Sequence, residues 1–278
     1  MIQTPAKYLY FEGVLKSMFQ TECSQSRKSG HTTYLGVLIG LLLTDGSVRK
    51  TKHSNKVIFS NKSEELHKLF RDIMQKLFQI KKFEEYTDAR GVKSTTVNKK
   101  EIVDYLLTLT PSYRTKPYED GNFSAAKIPG FIEKMRKKDL ALVLQAMFSG
   151  DGSVVLGIKW HKLKNSWVFT RRIQLTSEHP VILDQLANIL RKNFDTTPKI
   201  WRNQVVLDNK KDIQRFQKEI GFVKGLKTSM KSRNWFGKEK NAVLKLLIKS
   251  FEIKKRDLDQ FKTKEDAIMF LKNFDSVP

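Results

Sequence analysis

LIGLLLTDGSV at residues 38–48 and LQAMFSGDGSV at residues 144–154 match each other in order, and the acids they share, Asp45 and Asp151, lie 106 residues apart. Self-similarity at a fixed separation signals a duplicated unit, in which case the neighbours of each stretch match as well. Downstream, KVIFSN at 56–61 answers RRIQLTS at 171–177, both β-rich. Leu66, Leu69, Phe70, Ile73 and Leu77 then recur at helical spacing, as do Ile182, Leu186, Ile189 and Leu190. Last, TTVNKKEIVDYLLTL at 95–109 matches VVLDNKKDIQRFQKEI at 205–220.

Each copy therefore reads as helix, hairpin, helix, strand pair, helix. That is an α+β unit of αββαββα type, and two of them make one pseudo-symmetric molecule. The expected division is an N-terminal extension over 1–30, a first repeat over 31–115, a linker over 116–130, a second repeat over 131–228 and a helical tail over 229–278. The linker is marked by KPYEDGNFSAAK, rich in Pro, Gly, Ser and Asn. The tail holds two helical patterns, NAVLKLLIKSFEIKK and TKEDAIMFLKNF, the second opened by Thr263 as an N-cap.

In the first motif Gly36, Gly40 and Thr44 fall four residues apart, a small-residue ridge down an otherwise Leu/Ile/Val helix; Ala146 and Gly150 repeat it. Such ridges let two helix backbones come closer than the usual ~8–10 Å between axes, so the two motif helices are expected to pack on each other. Each ends in Asp-Gly, with Gly46 or Gly152 expected to take the left-handed conformation that terminates a helix. Packed in parallel, the helices set Asp45 and Asp151 side by side. Carboxylates at helix C-termini oppose the macrodipole by roughly 0.3–1 kcal/mol each, and neighbouring carboxylates repel further. A divalent cation relieves both conflicts, and Mg2+ favours a few carboxylates together with water and phosphate oxygens.

The composition points to a polyanionic partner. Lys and Arg number 52 against 29 Asp and Glu, giving a net charge of +23 spread along all 278 residues. Hydrophobic content of 40% is enough for a real core. No stretch approaches the roughly 18 uninterrupted apolar residues of a spanning helix, so a membrane is not the expected partner. Cys23 is the only cysteine, which excludes an internal disulfide and a cysteine-rich zinc site. His31, His53, His67, His161 and His179 lack the spacing of a metal-binding helix. Lys7, Glu12 and Lys16 interrupt any apolar signal region near the start, so secretion is not expected.

Both Asp-Gly motifs with their preceding helices resemble the LAGLIDADG signature, and the paired repeats over roughly 30–230 resemble the single-chain, two-motif homing endonucleases of that family. The resemblance implies a divalent-metal-dependent DNA endonuclease that makes a double-strand break in a long, non-palindromic target. The eighth-position acids that bind metal in the family fall on Asp45 and Asp151; the sixth-position acid is replaced by Leu43 and Ser149. Mg2+ is the implied cofactor, with Mn2+ as substitute and Ca2+ supporting binding without cleavage. The family's active-site lysine falls on Lys227 in the second copy and on Lys116 or Lys127 in the first. Asn61 and Ser177 end matching strands and are candidates for holding water beside the metal. The implied setting is an intron-encoded protein of an organelle or a prokaryotic cytoplasm, acting as a monomer on double-stranded DNA. An intron RNA maturase and a non-catalytic DNA-binding protein are the alternatives on the same scaffold.

Two-stranded antiparallel ribbons fit the major groove. Arg49, Lys50 and Lys52 in the first copy and Lys159, His161, Arg171, Arg172 and Gln174 in the second are the expected DNA contacts. Two such surfaces on one chain span about 20 bp, roughly two helical turns.

Overall fold

The computed structural model describes residues 25–230, 232, 234–254, 257–258 and 260–274, so Cys23 and most of the expected N-terminal extension lie outside the described residues. The first repeat runs α1 (Gln25–Asp45), β1 (Gly46–Lys50), β2 (Asn55–Asn61), α2 (Glu64–Phe78), β3 (Glu84–Thr87), β4 (Lys93–Val97) and α3 (Lys100–Leu109). One helical turn, α4 (Gly130–Glu133), follows. The second repeat is α5 (Lys137–Gly150), β5 (Gly152–His161), β6 (Ser166–Thr176), α6 (Pro180–Phe194), β7 (Lys199–Trp201), β8 (Gln204–Leu207) and α7 (Lys210–Glu219), and then come α8 (Lys240–Lys249) and α9 (Lys264–Asn273). Both copies keep the αββαββα order of an α+β fold. Both sheets are antiparallel with the same strand order, β1-β2-β4-β3 and β5-β6-β8-β7.

Local chemistry accounts for the boundaries. The Ser63 hydroxyl accepts from the Leu66 amide at 3.4 Å to start α2, the Asn209 side chain from Asp212 at 2.8 Å to start α7, and Thr263 from Asp266 at 3.1 Å to start α9. Helices α2 and α6 end at equivalent left-handed residues, Gln79 and Asp195. Along the strands one face is apolar: Val57 and Phe59 in β2, and Ile173 and Leu175 in β6, are buried against helices. Over residues 35–43 helix α1 is apolar all round, with Leu38, Ile39, Leu41 and Leu42 fully buried, as a helix between its own repeat and a partner helix must be.

That partner is α5. A Cβ on Gly36 would come within 2.9 Å of Val143 Cγ2, one on Gly40 within 3.2 Å of the Val143 carbonyl oxygen, and one on Gly150 within 2.5 Å of Thr44 Oγ1. The small-residue ridges are thus where the two motif helices touch. The expected left-handed glycines are a correction: neither Gly46 nor Gly152 is among the positive-φ residues. Glycine is needed there because the chain folds straight from helix into strand. A Cβ on Gly46 would sit 2.5 Å from Leu42 Cα, and one on Gly152 2.3 Å from the Phe148 carbonyl oxygen.

The tail packs onto the second repeat. Trp235 Nε1 donates to the Leu156 carbonyl of β5 at 2.7 Å, and Trp167 Nε1 of β6 donates to the Phe261 carbonyl at 2.8 Å. Leu244 and Leu247 of α8 are fully buried. The linker is strapped to α6: Gln185 accepts from the Ile128 amide at 2.8 Å and donates to the Ile128 carbonyl at 2.9 Å, and His179 Nε2 donates to the Ser124 carbonyl. Among the described residues no helix is long and apolar enough to cross a membrane.

Candidate metal centre and DNA-facing sheets

The packing of α1 on α5 brings the two acids together. Asp45 is the last residue of α1, and Asp151 follows the last residue of α5. The absent Cβ of Gly150 leaves a space 2.7 Å from Asp45 Oδ2. Both carboxyls are held above the ordinary carboxylate range. Burial is the first cause for each; Asp151 lies the higher because the charge of Asp45 adds to it. Asp45 is moderated by a hydrogen bond from Asn61 Nδ2 to its Oδ2 at 2.8 Å.

Asn61 is itself braced. Its Oδ1 accepts from the Ser63 amide at 2.8 Å, and its carbonyl accepts from His67 Nε2 at 3.0 Å, while the Thr95 hydroxyl lies 2.7 Å from His67 Nδ1. His67 is fully buried, and that burial lowers its pKa, which keeps it neutral. At the equivalent position of the second copy, the Ser177 hydroxyl accepts from the His179 amide at 3.3 Å. Both residues therefore close the same short turn, and only the longer Asn61 also spans to its acid. Sequence reasoning found Asn61 but not its brace, His67.

All three candidate lysines lie at the surface. Lys227 is exposed, and its backbone forms an isolated antiparallel bridge with Glu239. Lys127 is exposed, with its amide donating to Thr110 Oγ1. Lys116 is exposed too, yet its charge reaches Asp151 and lowers that acid's pKa. The buried lysine at the centre is Lys240, the first residue of α8, which sequence reasoning left in the tail. Its Nζ donates to the carbonyls of Ser149 at 3.1 Å and Gly152 at 2.7 Å, the two residues flanking Gly150-Asp151. Burial pulls its pKa down to about 8 against the opposing pull of Asp45 and Asp151.

This donor set fits a hard divalent cation: two carboxylates held close at the cost of their own ionisation, beside a space that a side chain would fill. Among the described residues no group of three or more His, Cys, Asp or Glu gathers to hold a metal, so the centre rests on these two carboxylates.

Strand register separates the expected DNA contacts into two faces. In β5 and β6, Ser153, Val155, Gly157, Lys159 and His161 pair with Gln174, Arg172, Thr170, Val168 and Ser166, opposite the buried Val154, Leu156 and Ile158. Lys159, His161, Arg172 and Gln174 thus share the outer face. Arg171 does not, since neighbours in a strand point to opposite sides. It turns inward, donates from Nε to Ser250 Oγ at 2.9 Å and lies over the Phe169 and Phe251 rings. In the first sheet Arg49 is on the outer face and exposed, and Lys52 is exposed in the β1–β2 turn. Lys50 takes the opposite parity and pairs with Asp104 of α3 at 2.5 Å. Arg171 is therefore tied into the fold rather than presented to a groove, whereas Lys50 remains half exposed in its ion pair.

Residues 32–109 match the family model of the LAGLIDADG-like domain. The replication factor C small subunit of Methanocaldococcus jannaschii is 27% identical over 195 residues, which cover 70% of this chain and 10% of that protein, so the chain spans about a tenth of the length of the curated relative it matches. Among solved structures, I-DmoI in complex with DNA and Mn aligns with a TM-score of 0.45 at 17% identity, covering 69% of this chain and 96% of that one. I-WcaI bound to its DNA recognition sequence aligns at 0.43 and 15%, covering 70% and 84%. Full-length DUF199/WhiA from Thermatoga maritima aligns at 0.49 and 12%, covering 88% and 67%.

Proposed function

Because this chain carries a LAGLIDADG-like domain whose architecture its second half repeats, we propose that it is a homing-type endonuclease that makes a double-strand break at a long, non-palindromic DNA site. The observation that carries the reading is the pair Asp45 and Asp151, brought together where two motif helices meet and each turns directly into the first strand of an antiparallel sheet, on a chain of net charge +23.

Asp45 and Asp151 would hold divalent metal, Mg2+ or Mn2+, together with phosphate oxygens of the DNA. Bound metal supplies an activated water and neutralises charge on the leaving oxygen. The chain's own residues set the stage. Asn61, braced by His67, fixes the orientation of the Asp45 carboxylate. Lys240 grips the carbonyls on either side of Asp151 and brings a positive charge to the place where phosphate charge develops. Lys116, from the linker, adds a second positive charge near Asp151. The outer sheet faces supply phosphate contacts, through Arg49, Lys52 and Lys159, and these provide most of the affinity.

The test uses a library of DNA duplexes with binding and cutting scored separately, in Mg2+, Ca2+ and chelator. Asp45→Asn and Asp151→Asn are expected to abolish cutting while leaving affinity within a few-fold. Lys240→Met is expected to reduce cutting strongly and Lys227→Met to leave it nearly unchanged. A wild-type chain that binds one site tightly and never cuts it in Mg2+ or Mn2+ overturns the nuclease reading in favour of a binding protein or an RNA maturase.

A further inference from the structure

On the outer face of the second sheet, three polar side chains hold covered atoms without hydrogen-bond partners: Arg172 Nε, Gln174 Oε1 and Gln204 Oε1. Register puts them in one patch. Gln174 of β6 pairs with Val206 of β8, and Thr176 pairs with Gln204, so all lie on the side away from the helices. Beside them Trp201, half exposed at the end of β7, pairs with Gln204 and lies under the guanidinium of Arg172 at 5.7 Å. Val206, in the middle of this outward face, is buried, so the long polar side chains cover it.

A covered polar atom without a partner is costly, and native proteins keep few of them. Three on one outward face form an arrangement completed by donors and acceptors from outside. The chemistry is specific: a guanidinium fork matches the O6 and N7 acceptors of guanine, and a primary amide matches the N7 acceptor and N6 donor of adenine. Phosphates offer acceptors only, so the two orphaned amide oxygens, which need a donor, point to base edges rather than backbone, while the Gln204 nitrogen donates to the Thr176 hydroxyl at 3.3 Å. We propose that Arg172, Gln174 and Gln204 form the base-reading cluster for the half-site under the second sheet, preferring purines there, with Trp201 as a positioning residue that steadies the Arg172 fork. This rests on the DNA-binding reading above.

The experiment selects bound sequences from a randomised duplex library in Ca2+ and measures affinity against salt for the winners. Wild type is expected to enrich one site with fixed G and A positions in one half. Arg172→Lys keeps the charge and removes the fork. It is expected to lose the preference at one G·C position, roughly 5- to 150-fold against the wrong base, with an unchanged salt slope. Gln174→Ala and Gln204→Ala are each expected to relax an A·T position. Trp201→Ala is expected to weaken the same position as Arg172→Lys, and Trp201→Phe to restore it. Lys159→Ala, a phosphate contact, is expected to weaken all sequences alike and reduce the salt slope by about 1. If Arg172→Lys enriches the wild-type site unchanged, or loses affinity uniformly, the cluster does not read bases. If wild type binds DNA yet enriches no sequence, the cluster assignment falls while DNA binding stands; if it binds no DNA, both fall.

Discussion

Burial holds Asp45 and Asp151 above the carboxylate range, to about 6 and about 8, and that has a consequence for stability. An acid whose pKa is higher in the folded state favours folding while protonated. Its stabilisation is full below the ordinary value of 3.8 and is lost as pH rises through the raised one, here between about pH 4 and 8. Lys240 has the opposite displacement, and its cost develops as pH falls from 10.5 towards about 8, outside that window. Glu64 and Glu85, held low by Arg71 and Lys93, act below about pH 4.5. His31 and His67, lowered by burial, favour folding as pH rises towards the ordinary 6.5. The metal-free wild type compared with Asp151→Asn therefore isolates the acid. The difference in melting midpoint in favour of the variant is expected to grow from pH 5 to pH 8. One pH unit of displacement corresponds to about 1.4 kcal/mol, which moves the midpoint of a chain this size by roughly 2–4 °C. Added Mg2+ should stabilise the wild type more than the variant at pH 8. Parallel melting curves across this range would falsify the burial that holds Asp151 above the carboxylate range.

Helices α1 and α5 touch along a line of glycines, so a single methyl group reports on the contact. Gly150→Ala puts a Cβ at 2.5 Å from Thr44 Oγ1 and 2.7 Å from Asp45 Oδ2, and overpacking of this kind costs about 1–3 kcal/mol. Gly157→Ala, on a strand with nothing within 4 Å and no positive φ, is expected to leave stability unchanged or slightly raised. Thermal unfolding of the two variants side by side checks this, and equal midpoints would remove the helix contact from the account. The ridge was legible because spacing in a helix fixes which residues share a line, whatever the partner. Strand parity was equally available: Arg171 beside Arg172, and Arg49 beside Lys50, cannot both face a groove, although charge alone grouped them. Lys240 was not legible. It lies beyond the repeated segment, in an ordinary apolar helix pattern, and only packing of α8 on β5 carries it to the acids.

At the scale of the whole molecule, the central interface between motif helices is satisfied within one chain, so a monomer is expected by light scattering in the absence of DNA. The more searching prediction concerns the tail. Sequence repetition ends near residue 228, which suggests that a chain cut there would keep both functional halves. The packing argues otherwise. In the first repeat Asp104 of α3 pairs with Lys50 of β1, whereas in the second the inner side of the hairpin is met by the tail: Trp235 bonds Leu156, Arg171 bonds Ser250 and Lys240 bonds Ser149 and Gly152. Removal of residues 229–278 uncovers apolar surface on β5 and β6 and strips the flanks of Asp151 of their cation. Removal of 260–278 alone takes away α9 and the Phe261 carbonyl that accepts from Trp167, but leaves α8 and Lys240 in place. The longer deletion is expected to give a chain that loses amide exchange protection across β5 and β6, or that aggregates. The shorter one is expected to fold with a lower midpoint and retain protection at the strand residues next to Asp151. If the chain ending at 228 protects β5 and β6 as well as the full chain does, the second repeat is complete without its tail, and Lys240 is then an accessory rather than a part of the centre.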